Sequence, residues 1–123
     1  MKILAADIGG TNARFAVFVD GRCVVSLVFS STDSRFKGER SGALIILKGL
    51  KKLGEEVNVS GIQAACIAVA GPVSDGFAEL TNVKLQFIAS ELTTQFGYPF
   101  TLINDLHAMG LGLDRLGSET LVQ

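Results

Sequence analysis

The sequence contains no tryptophan, one histidine, one tyrosine, two prolines and two cysteines in 123 residues. Each scarcity excludes something. Two cysteines, Cys23 and Cys66, form neither a CxxC pair nor a zinc spacing, so a metal-stapled or disulfide-dense scaffold is excluded. Each sits in its own apolar run, and both read as small buried hydrophobes, with a disulfide or redox pair as the alternative. No apolar run approaches the roughly 18 residues of a membrane span. Met1 to Ala6 has the flavour of a signal peptide, but Asp7 ends its apolar stretch well short of an h-region. The chain therefore reads as a cytoplasmic protein. A block of like charge is also missing. The formal net charge is −1, and the densest basic stretch, Lys48 to Lys52, reads as the wet face of one helix. A nucleic-acid footprint would need a clustered Lys/Arg field, so no nucleic-acid or membrane partner is expected.

What is present is apolar and glycine-rich. Hydrophobic residues make up 48% of the chain, charged residues 19%, and there are 14 glycines. That composition fits one compact domain with a true core. Ile3 to Ile8, Ala13 to Val19 and Cys23 to Phe29 read as three opening strands. Asp20-Gly21 between the last two is a tight-hairpin signal. Ser30 to Gly38 is polar and reads as a loop. From Ser41 to Leu53 the period changes: Ala43, Ile46, Leu47, Leu50 and Leu53 recur at helical steps. Ser41 is the candidate N-cap and Gly54 the stop. Ile62 to Ala70 is continuously apolar, as a strand covered on both faces is. Gly71-Pro72 ends it, Asp75-Gly76 marks a turn, and Phe77 to Leu80 is a short strand. Helices are expected over Ile88 to Phe96, stopped by Gly97, and over Leu106 to Leu116. Phe100 to Ile103 lies between them as the last strand. Antiparallel strands followed by strand–helix alternation predict a mixed sheet covered by helices.

One stretch carries chemistry. In Asp7-Ile8-Gly9-Gly10-Thr11-Asn12 a carboxylate ends an apolar strand and two glycines follow it. Glycine leaves backbone N–H groups open and puts no Cβ in the way of a phosphate. Thr11 and Asn12 add side-chain donors. Asp7 would repel phosphate, so its sensible partner is a magnesium ion held through water. Gly-Gly between strands can equally be a plain hairpin turn. The string is neither GxxxxGK[ST] nor GxGxxG. Asn104-Asp105 follows the last strand, where open α/β sheets bind ligands. An aspartate opening a helix can also be no more than an N-cap. His107, two residues on, points to another side of that helix and reads as a surface or supporting residue. Arg14 could reach phosphate or simply face solvent.

The string "DIGGTNARFAVF" resembles the first phosphate motif of the bacterial glucokinase family, within the sugar kinase, Hsp70 and actin superfamily. "CIAVAGPV", "LTN" and "FGYPFTLINDLHAMG" match the same family in the same order, so the resemblance covers nearly the whole chain. It implies a ribonuclease H-like α/β fold, with residues 1–123 forming the N-terminal lobe of a two-lobed sugar kinase whose C-terminal lobe is absent. It implies ATP and Mg²⁺ as cofactors and phosphorylation of glucose, or a similar hexose, at the 6-hydroxyl. Ala6, Asp7, Ile8, Gly9, Gly10, Thr11 and Asn12 would bind the ATP phosphates. Asp105 would be the catalytic base. Asn104, Asp105, Asn82 and Thr81 would meet the sugar. The missing lobe is an implied partner, and a homodimer is compatible. The chain alone is expected to be inactive, because catalysis by positioning needs phosphate and sugar held together. Leu85 stands where members often carry an aromatic after the "TN", and Leu106 replaces a common Phe. A kinase of another hexose and a non-catalytic sugar-binding regulator are the alternatives. Regulators usually place a DNA-binding segment ahead of the first strand, and the phosphate motif here begins at Asp7.

Overall fold

The computed structural model describes residues 1–32, 41–80 and 85–104. Thr81, Asn82, Asp105, His107 and the expected helix Leu106 to Leu116 lie outside the described residues, as does most of the polar loop after Ser30.

Three opening strands form as their patterns dictate: β1 (Lys2–Ile8), β2 (Asn12–Val19) and β3 (Arg22–Ser30). Asp20 and Gly21 join β2 to β3 with φ of 50° and 84°. Both central residues of a primed hairpin turn need positive φ, which Asp tolerates and Gly adopts freely. A bulge between Val17 and Phe18 shifts the β2–β3 register. The helix α1 (Ser41–Leu53) then crosses to β4 (Ala64–Val69), which pairs parallel with β1 on one side and with β8 (Phe100–Asn104) on the other. The five strands run in the order β3-β2-β1-β4-β8, with β2 alone antiparallel to its neighbours on both sides. The central position of β4 explains its unbroken apolar run. Ile67 and Val69 are fully buried towards one face and Ala68 towards the other.

A second, antiparallel sheet holds β5 (Val73–Ser74), β6 (Phe77–Leu80) and β7 (Leu85–Ile88). Asp75 and Gly76 make its first turn with φ of 52° and 73°. The strand β7 is not apparent in the sequence pattern. Ile88 closes that strand rather than opening a helix, and α2 (Ala89–Phe96) starts one residue later. Gly97 ends α2 in the left-handed conformation, φ 86°, and its N–H returns to the Thr93 carbonyl at 2.9 Å. That is the αL stop the sequence indicates.

The helix α1 has the expected span but a different buried face. Gly42, Ile45, Ile46, Gly49 and Leu53 face inward, whereas Leu47 is 46% exposed. The glycines explain the rotation. A Cβ on Gly42 would sit 2.3 Å from the Gln86 carbonyl of β7, and one on Gly49 would sit 2.6 Å from the Phe15 ring of β2. The helix approaches both sheets at backbone distance, so the inward row must include residues without side chains. The Ser41 hydroxyl accepts the Gln86 N–H at 2.8 Å and ties α1 to β7. Gly54 continues the helical turn, its N–H bonding to the Leu50 carbonyl at 2.8 Å.

The main core lies between α1 and the five-stranded sheet, around Leu4, Ile8, Phe15, Val17, Ile45, Ile46, Leu53 and Ile67. Phe15 stacks on Phe29 at 5.5 Å, and the Lys48 ammonium stands 4.7 Å from the Phe29 ring centroid. Cys23 and Cys66 are free thiols, both half-buried. With β2 and β1 between their strands they are about three interstrand spacings apart, roughly 14 Å. A disulfide needs Cα atoms within about 7 Å, so the pair cannot close.

Candidate active site

The three parallel strands β1, β4 and β8 end level. Ile8 is in register with Val69, and Val69 with Asn104. The loops that leave these ends therefore emerge side by side at one edge of the sheet. Ile8 and Asn104 are separated only by β4, about 10 Å at two interstrand spacings.

Hydrogen bonds join that edge into one unit. The Ala70 N–H donates to the Ile8 carbonyl at 3.0 Å, tying the loop after β4 to the end of β1. The Asn104 side-chain N–H donates to the Gly71 carbonyl at 2.5 Å, tying the end of β8 to that same loop. Gly71 is confined here: a Cβ on it would meet the Glu79 carbonyl of β6 at 3.0 Å. On the far side Ser31, at the end of β3, donates its hydroxyl to the Gly9 carbonyl at 2.7 Å and its N–H to the Thr11 carbonyl at 3.0 Å. Beside Gly71 a groove of about 400 Å³ opens, lined by Ala70, Pro72, Ser74, Phe77 and Glu79. The Glu79 carboxylate accepts the Gln86 amide at 3.1 Å.

Gly9 and Gly10 form the turn between β1 and β2. The Gly9 N–H closes on the Asn12 carbonyl at 2.9 Å. Neither glycine has positive φ, unlike Gly21, Gly61, Gly76 and Gly97. Among the described residues, a Cβ on Gly9 would meet nothing nearer than the Asn12 carbonyl at 3.6 Å, an ordinary contact. Local conformation and packing by the described residues therefore do not demand glycine at position 9. An open backbone is what it offers. Among the described residues no acceptor is bonded to the N–H of Gly10 or of Thr11.

The remaining predicted loop residues divide by the strand alternation. Ala6 and Ile8 are buried in the main core, so only their backbone is available to a phosphate. Asp7 points to the opposite face and is half-buried, directly across from Arg14 on β2 and beside Ala68 on β4. Thr11 and Asn12 are exposed at the loop, as is Arg14 on its strand. Among the described residues no group of three or more His, Cys, Asp or Glu could hold a metal by itself. One carboxylate, Asp7, could meet a divalent cation only if that ion kept most of its waters. Asn104 sits half-buried at the end of β8. Thr81, Asn82 and Asp105 fall outside the described residues, and Asp105 is the next residue after Asn104. Ser31 was not singled out by the sequence, where it is one serine in a polar loop. Nothing short of the fold shows that it reaches back 22 positions to Gly9.

The family model described as Glucokinase matches residues 4–123. A glucokinase from Chromohalobacter salexigens is 32% identical over 120 residues, covering 97% of this chain and 35% of the relative. One from Pseudomonas paraeruginosa is 32% identical over 121 residues, covering 98% and 34%. The chain thus spans about a third of the length of the curated relatives it matches. Among solved structures, a glucokinase from an Antarctic psychrotroph aligns with TM-score 0.67 and 32% identity over 88% of this chain and 33% of that one. A ROK family glucokinase from Streptomyces griseus, in complex with glucose and AMPPNP, aligns at 0.69 with 21% identity over 97% and 38%. A ROK family transcriptional regulator shares the fold at 0.70 with 14% identity over 89% and 29%.

Proposed function

Since the chain belongs to the glucokinase family, we propose that the protein it forms part of transfers the γ-phosphoryl group of ATP to the 6-hydroxyl of glucose. The observation that carries this reading is the shared edge. The Gly9-Gly10 turn and the end of β8 emerge level, two strands apart, and are hydrogen-bonded through the loop between them.

Each group has a chemical task. The open N–H groups of Gly10 and Thr11 offer a phosphate donors without a side chain in the way. The Thr11 hydroxyl and Asn12 amide add donors at the exposed side of the turn. Asp7 would hold a water of the Mg²⁺ that accompanies ATP, and that ion would offset charge on the phosphate oxygens. Asp105 accepts the proton of the attacking hydroxyl, since an alcohol is a poor nucleophile until a positioned base takes that proton. Asn104 hydrogen-bonds a neighbouring sugar hydroxyl, its amide plane oriented by the Gly71 carbonyl. Thr81 and Asn82 line or support the sugar loop. These roles cover one half of a cleft. Positioning both substrates needs the other half as well, so residues 1–123 alone are inactive.

The test uses the whole parent protein. Purified with ATP and a panel of hexoses, it is expected to release ADP fastest with glucose, and Asp105→Ala to lower kcat roughly 10²–10⁴-fold with the fold intact. Preference for another hexose would reassign the substrate. Sugar binding without ADP release would make the protein a regulator, and full activity in Asp105→Ala would remove the base.

A further inference from the structure

A loop built on two adjacent glycines has a weakness. The peptide unit between them can rotate with little steric resistance, because neither flanking residue carries a Cβ. A phosphate loop needs that unit held one way, with its N–H towards the ligand. The chain contains a device that does this.

Ser31 is 1% exposed, one of two buried polar side chains among the described residues. Its hydroxyl donates to the Gly9 carbonyl at 2.7 Å. The Gly9–Gly10 peptide is trans, like every described peptide bond. In a planar trans peptide the C=O and N–H point in opposite directions. Pulling the Gly9 carbonyl inward onto Ser31 therefore turns the Gly10 N–H outward. That N–H has no partner among the described residues. The backbone N–H of the same serine holds the Thr11 carbonyl at 3.0 Å. One residue thus grips the turn at two carbonyls and leaves its donors on the other side.

We propose that Ser31 is a positioning residue for phosphoryl-donor binding: it locks the Gly9–Gly10 peptide with its N–H facing the ATP phosphates. This rests on the kinase reading above and adds a residue to it. Ser31 touches neither substrate. Its effect passes through one peptide plane, so it acts on the nucleotide and not on the sugar.

The experiment measures KM for ATP, KM for the sugar, kcat and Tm in the whole parent protein, comparing wild type with Ser31→Ala and Ser31→Cys. The cysteine variant keeps the buried volume and supplies only a weak donor, so it separates the hydrogen bond from the packing. Both variants are expected to raise KM for ATP roughly three- to tenfold, the scale of one neutral hydrogen bond, with KM for the sugar unchanged. Inorganic triphosphate is expected to lose the same factor as an inhibitor, because it binds through phosphates alone. An unchanged KM for ATP in Ser31→Cys overturns the inference. So does a parallel rise in both KM values with a fall in Tm, which is the mark of a purely structural serine. A wild-type protein that transfers no phosphoryl group from ATP overturns the kinase reading itself, and is distinguished by failing before any substitution is made.

Discussion

The Asn104 side chain donates to the Gly71 carbonyl across the carboxyl ends of β8 and β4, at 2.5 Å. An asparagine that the sequence offers as a sugar ligand is thus also a strut between two loops of the site. Asn104→Asp removes the donor and sets a carboxylate against a carbonyl oxygen. We expect kcat/KM for the sugar to fall at least about tenfold, and KM for ATP to change far less. A hydrogen bond to a half-buried partner is worth about 1 kcal/mol, and the carboxylate–carbonyl repulsion that replaces it adds the rest of that factor. Steady-state kinetics with each substrate varied in turn checks it.

Gly9→Ala separates the two explanations of the double glycine. Among the described residues the nearest atom to the new methyl would be the Asn12 carbonyl at 3.6 Å, and φ is not in the left-handed region. Thermal melting should therefore shift by only a few degrees, while ATP affinity falls roughly tenfold as the methyl crowds the open backbone. A large loss of Tm with normal ATP affinity would return the turn to a purely structural role.

Gly42→Ala should be more damaging than an exposed glycine-to-alanine change in a helix, which normally gains up to about 1 kcal/mol. Its Cβ would lie 2.3 Å from the Gln86 carbonyl and 2.7 Å from the Phe87 ring. A backbone carbonyl in a sheet cannot rotate aside. Forced overpacking costs about 1–3 kcal/mol and outweighs the propensity gain. Urea titration of the two proteins measures the difference.

Burial pushes the Cys66 thiol above its ordinary value of 9.0. The sign follows from linkage. In the unfolded chain the thiol ionises at its ordinary value, while in the folded protein it holds its proton longer. The folded state then binds more protons above that pH, so stability falls as pH rises from about 9. Cys66→Ala should show a flatter decline between pH 8 and 10. Tyr98, also raised by burial, contributes only at higher pH. Chemical denaturation across that range reads the slope.

Legibility in the sequence followed the range of the forces involved. The hairpins at Asp20-Gly21 and Asp75-Gly76 were readable because positive φ is a demand met within two residues. The central strand β4 was readable because burial on both faces leaves no polar alternation. The span of α1 was readable from its period, but its buried face was not. Leucines draw the eye to Leu47, while the inward row is completed by Gly42 and Gly49, whose role exists only where other elements press against them. The four residues of β7 are too short to show a period, and their strand character comes from pairing with β6 and from the Ser41 hydroxyl. At the candidate site the Asp7 to Asn12 string was legible as a candidate motif. The braces Ser31–Gly9 and Asn104–Gly71 were not, since they join residues 22 and 33 positions apart.

The level ending of β1, β4 and β8 has one more effect. The ladder sets the gauge between the Gly9-Gly10 turn and the end of β8, much as the fixed jaws of a caliper set an opening, and no side chain can widen it. Residues lining the groove beside Gly71 are then free to be exchanged without altering that spacing. A single residue inserted within β4 would move its Gly71 loop out of line with both neighbours at once.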